Sequence, residues 1–177
     1  MLEKLHITAR QWKTVIKWAV YTALFLFVML FQTVCLGNVR FWGVSCSLLP
    51  ILLVCICIRE EPGSGGLFAL IMSLIWCLSG ADFGSISIFV LTIGGIFVGI
   101  MCRVAINQRF LPCALCCFAI SLIHESAIFL LKLLFSGVEP IFWLKRALPC
   151  AVLSMVAYPL LYLIVKWISR IGGSHGV

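Results

Sequence analysis

The chain has 177 residues, of which 63% are hydrophobic and 11% charged, with a formal net charge of +7. An average soluble domain is roughly 45–50% apolar and about a quarter charged, so these charges are too few to clothe a surface in water. The apolar runs are long and do not alternate, which excludes a membrane barrel and predicts an all-α integral membrane protein, a single bundle of about six transmembrane helices.

The elements follow in chain order. Residues 1–14 form a basic segment with Lys4, Arg10 and Lys13. The apolar stretch behind it, about Val15–Leu36, is too long for a signal peptide and lacks a small-x-small cleavage site, so it is expected to stay as the first span. Further spans are expected at about Phe41–Ile58, Gly65–Ser79, Ser85–Cys102, Phe110–Phe135 and Leu144–Ile168, with a short tail over 169–177. Crossing ~30 Å of hydrocarbon takes ~20 helical residues, so the third span is short and the fifth long.

Basic residues set the expected orientation. Lys4, Arg10, Lys13, Lys17, Arg59, Arg103, Arg109, Lys166 and Arg170 fall on one side, and Arg40, Lys145 and Arg146 on the other. The excess places both termini in the cytoplasm. The same rule accounts for the positive net charge, so no nucleic-acid partner is expected. Trp12, Trp18, Trp42, Trp143 and Trp167 lie near span ends, where aromatic anchors sit. The connections are short, the longest running over about 136–145, which leaves no room for a soluble catalytic domain.

The fifth span carries the groups that cost most in lipid, His124, Glu125 and Lys132. Glu125 and Lys132 are seven residues apart, on nearly one face but about 10 Å apart along the axis. Glu125 is expected to face the bundle, with His124, Lys132 or Asp82 as partner; these four are the candidate intramembrane polar or coupling residues. The plain reading is a polar fastener between helices. The sharper one is a relay or ligand site. Small residues spaced by four suggest close helix packing or a docking face: Gly65, Ala69 and Ser73, then Cys77, with Gly95 and Gly99 in the fourth span. Cys113, Cys117, Ser121 and Glu125 continue the pattern in the fifth.

Catalytic signatures are missing. His124-Glu125 does not open an HExxH motif because Ile128 follows, and neither GxSxG nor GxxxxGK occurs. The Cys113–Cys116 CxxC is a weak pointer to metal or redox chemistry, and a Cys35–Cys46 disulfide is an open alternative to free thiols. Neither an enzyme nor a cofactor is expected.

Between Leu48 and Met101 the order of features is more specific: Pro50 opening a span, the charged glycine-bearing turn REEPGSGG, a short small-residue span, LSG with Gly80 and then Gly84, and a glycine-containing span. This stretch resembles the bacterial rod shape-determining protein MreD family, and SMVAYPLL (154–161) looks like that family's last span. The family commonly carries an Asp at the end of span three; Trp76-Cys77 stand there in this chain. The resemblance implies a multi-pass protein of the bacterial cell membrane that scaffolds lateral peptidoglycan synthesis with MreC-like, MreB-like and cell-wall synthesis proteins. It implies contact with membrane lipids and no small-molecule substrate. Pro50, Gly80 and Gly84 join the packing set through it.

Two other classes compete. A substrate-binding S component of an energy-coupling-factor vitamin transporter has a similar size and layout, and Ala19 and Ala23, four apart in the first span, could serve its docking face. A small secondary transporter would need repeats or broken helices at matching places, and none is read here.

Overall fold

The computed structural model describes residues 9–36, 46–80, 85–106, 109–136 and 141–171. Among them the structure is helical throughout, without a strand. The helices are α1 (Ala9–Phe31), α2 (Leu49–Arg59), α3 (Pro62–Leu78), α4 (Ile86–Met101), α5 (Phe110–Ser136), α6 (Ile141–Met155) and α7 (Tyr158–Ile171). α1 continues into a π-helical turn over Gln32–Leu36, and α4 into another over Cys102–Ile106.

Three stretches are long and apolar enough to cross a membrane: Gln11–Leu36, Ile86–Val104 and Phe110–Phe135. A fourth qualifies if α6 and α7 count as one bent span, Ala147–Met155 and Tyr158–Ile171, inclined at 51°. These are the dimensions of a membrane protein. The bend has a local cause. Pro159 lacks the N–H that would continue the ladder, and its ring collides with the carbonyl four residues back. The chain therefore turns at Val156-Ala157, whose amides reach back three residues to Leu153 and Ser154.

The second expected span departs furthest from expectation. α2 has 11 residues, about 16 Å of helix, too short for a full crossing. It is instead the core of the bundle. Residues Leu49 to Ile58 are all buried, most with no accessible surface. A helix apolar on every side needs protein on every side, and α2 has it, packing against α1, α3, α4, α5 and α7. With α6 these neighbours form a closed circuit: α3 lies on α4, α4 on α5, α5 on α6, α6 on α7, α7 on α1 and α1 on α3. Their outward faces are apolar, with Phe27, Leu78, Phe89, Leu115 and Leu163 each at least 60% exposed.

A buried helix start must find acceptors for its first amides. Gln32, on the π-helical turn after α1, supplies one oxygen: its Oε1 accepts from Leu48 N at 2.8 Å and Leu49 N at 3.2 Å. Pro50 has no amide to satisfy. Ser154 of α6 accepts from Ser47 N at 3.0 Å and from the Cys46 thiol at 3.6 Å. Cys35 and Cys46 are both free thiols.

The glycines read as packing residues meet at one place. A Cβ built on Gly65 would stand 3.1 Å from Cys57 Cα; on Gly95, 2.8 Å from Cys57 Sγ; on Gly99, 2.8 Å from the Cys57 carbonyl oxygen. α3 and α4 thus clamp α2 at Cys57. Ala69 and Ser73 are buried on the same side of α3. Gly80 does something else. It is exposed, nothing lies within 4 Å of where its Cβ would be, and its φ of +70° closes α3 in the left-handed conformation that favours glycine. Asp82 and Gly84 lie outside the described residues, as do 1–8, 41–45 and 172–177 from the expected segments.

Candidate functional site

Two polar groups are built into the apolar bundle. The first lies where α2 ends. Arg59 closes that helix, a favourable place for a cation near exposed carbonyls, and the chain reverses through Glu60-Glu61 because Pro62 starts α3 at once. The tight reversal carries Glu60 into the interior. Its Oε2 receives the Lys17 ammonium of α1 at 2.6 Å, and its Oε1 receives the Tyr21 hydroxyl at 3.0 Å. The Lys17 and Glu60 side chains are only 7% and 5% exposed. Aromatic rings enclose the pair: Trp18 and Tyr21 pack edge-on at 5.6 Å, and both meet Phe68 of α3. Beside it Arg59 hydrogen-bonds the Tyr162 hydroxyl of α7 and sits 4.8 Å from that ring's centroid. Tyr158 and Tyr162 pack on Phe110, so α7 is tied to the start of α5 here. One buried carboxylate and one arginine therefore join α1, α2 and α7.

The second group contains the residues read from the sequence. His124 is 1% exposed and its Nε2 lies 3.1 Å from Ser87 Oγ of α4. Its ring stacks on Trp76 of α3 at 5.7 Å and 24°. The tryptophan that stands where the resembled family carries Asp is thus the cover over His124. Glu125 Oε1 lies 3.8 Å from His124 Nδ1, and the Cys150 thiol of α6 also reaches Glu125. Lys132 is half-buried two turns further along α5. The structure brings His124 and Glu125 together and places Lys132 on the same helix; Asp82, outside the described residues, cannot be joined to them.

The first group was not anticipated. In the sequence, Lys17 and Arg59 read as charges on a membrane face, and Glu60 as part of a turn. A signal existed in the composition: Lys17 sits five residues past Trp12, already inside the apolar run, and a lysine there requires a partner.

The cysteines gather between α2, α4 and α5. Cys55 Sγ and Cys117 Sγ are 3.8 Å apart, and Cys102 Sγ and Cys116 Sγ 4.0 Å. Among the described residues no group of three or more His, Cys, Asp or Glu is arranged to hold a metal ion. Buried away from water, these thiols fill space as small apolar groups do.

Compared with known proteins, the chain matches no family model, no curated protein and no solved structure.

Proposed function

We propose that this protein is a non-enzymatic scaffold of the bacterial cell-elongation machinery, of the rod shape-determining MreD type. In this reading the chain passes through the cell membrane six times, with both termini in the cytoplasm, the short α2 making its pass inside the bundle and α6 and α7 together forming one bent crossing. It works by holding MreC-like, MreB-like and peptidoglycan-synthesis proteins together.

One observation carries the reading. The stretch that resembles the family, Leu48 to Met101, forms α2, α3 and α4, the unit clamped by three glycines around Cys57 at the centre of the bundle. The polar side chains nearby are engaged with one another, Lys17 with Glu60 and His124 with Ser87. That suits a rigid body that presents surfaces to partners. In this scheme the His124–Glu125 pair fastens α5 to α4 and α6, and is the point through which a partner's state would be felt.

The test is gentle extraction from native membranes, affinity capture of the full chain, and mass spectrometry of the proteins that accompany it. MreC-like and cell-wall synthesis proteins are expected. An ATPase pair with a transporter core protein would replace the scaffold by a vitamin-binding S component. That outcome would also require thermal stabilisation by the vitamin, about 2.7 kcal/mol at 100 times its dissociation constant.

A further inference from the structure

We propose that the end of the bundle where α2 terminates is a docking surface for anionic phospholipid headgroups. The contacts define that end. The Lys17–Glu60 bond sets the first turns of α1 beside the end of α2, and the Arg59–Tyr162 bond brings the first half of α7 there, with Arg170 about two turns further on. The Cys102–Cys116 contact joins the end of α4 to the start of α5. Four exposed cations follow from this arrangement: Lys13 and Arg170 on the neighbouring helices α1 and α7, and Arg103 and Arg109 on the joined ends of α4 and α5.

Among the described residues, little at this end neutralises that charge from within. Glu60 is buried and already binds Lys17 and Tyr21. Among the described residues, the exposed carboxylate here is Glu61. Four exposed cations against one carboxylate attract anions. The neighbouring tryptophans say which kind. Trp12 is 56% and Trp167 68% exposed, on the same turns as Lys13 and Arg170. Indole rings settle at headgroup depth, with their apolar body in the acyl region and their N–H in water. Cations held at that depth face lipid phosphates, and anionic headgroups add attraction with each one. This inference needs only that the bundle lies in a bilayer and stands apart from the cell-wall reading.

The test uses the full-length protein in a neutral detergent. Phosphatidylglycerol and phosphatidylcholine with the same acyl chains are added at equal concentration, and bound lipid is counted by native mass spectrometry. Preferential binding of phosphatidylglycerol is expected, falling as salt rises. Arg103→Gln with Arg109→Gln, or Lys13→Gln with Arg170→Gln, should each reduce it, by about fivefold for every cation removed. Lys145→Gln, at the start of α6 and the opposite end, should leave it unchanged. Equal binding of the two lipids would overturn the proposal. So would a preference that survives both double variants, an equal loss with Lys145→Gln, or full competition by soluble glycerol phosphate.

Discussion

The Lys17 side chain, packed beside Trp18 and Tyr21, meets the Glu60 carboxylate at 2.6 Å. Removing water from two charges is costly, and their attraction roughly repays it when the geometry is good. The pair is therefore weak as a source of net stability and strong as a constraint. Glu60→Gln leaves a buried ammonium without its counter-charge and should destabilise the fold by about 3–5 kcal/mol. Lys17→Met combined with Glu60→Gln removes both charges and should recover most of that loss. Unfolding curves in mixed micelles for the two single variants and the double variant check this. A loss in the double variant equal to the sum of the two single losses would mean that the residues act independently. A comparable argument holds at Gly99, whose added Cβ would stand 2.8 Å from the Cys57 carbonyl oxygen. Backbone cannot yield as a side-chain tip does. Gly99→Ala should cost about 1–3 kcal/mol in the same assay, whereas Gly63→Ala, with nothing within 4 Å, should be close to neutral.

At the scale of the element, α2 depends on groups far from it in sequence. Its first amide and those leading into it are met by Gln32 and Ser154, 16 to 107 residues away. Gln32→Leu keeps the bulk and removes the acceptor, leaving Leu48 N and Leu49 N without it; the expected cost is about 1–3 kcal/mol. Hydrogen exchange localises the effect, with the α2 amides speeding up before those of α4. A uniform change across the bundle would count against a capping role. This dependence explains what could be read beforehand. LLPILLVCICI is apolar on every side, so its burial was legible, and Pro50 marked the first turn. Its length was not, because hydropathy runs on through residues whose helix start is fixed by Gln32 and Ser154. The bend between α6 and α7 was half legible. Pro159 stood in SMVAYPLL, but a hydropathy window averages across a kink.

For the whole molecule, the outer helices were legible because each repeats one apolar face toward the surroundings, and the glycine set because small residues recur every fourth position. The Lys17–Glu60 pair was not, since a tally of basic residues assigns sides of a membrane and says nothing about a partner 43 residues away. His124 and Glu125 stood out by composition alone, yet their actual neighbours, Ser87, Trp76 and Cys150, come from three other helices. The closed circuit around α2 makes a prediction that belongs to the assembled fold. Cys35 is exposed at the end of the first membrane-length helix, and Cys57 is enclosed by α3 and α4. Single-cysteine chains can be labelled in intact cells with a maleimide that does not cross membranes. The proposed orientation, with both termini inside, requires Cys35 to react from outside. Lys13→Cys, in a chain otherwise free of cysteine, should react only after permeabilisation. Cys57 should stay unlabelled in both conditions and react once the protein is unfolded. Reaction at Lys13→Cys in intact cells, with Cys35 protected, would reverse the orientation. Reaction at Cys57 in the folded protein would mean that the circuit opens, and α2 would then be a mobile element of the bundle and not its fixed centre.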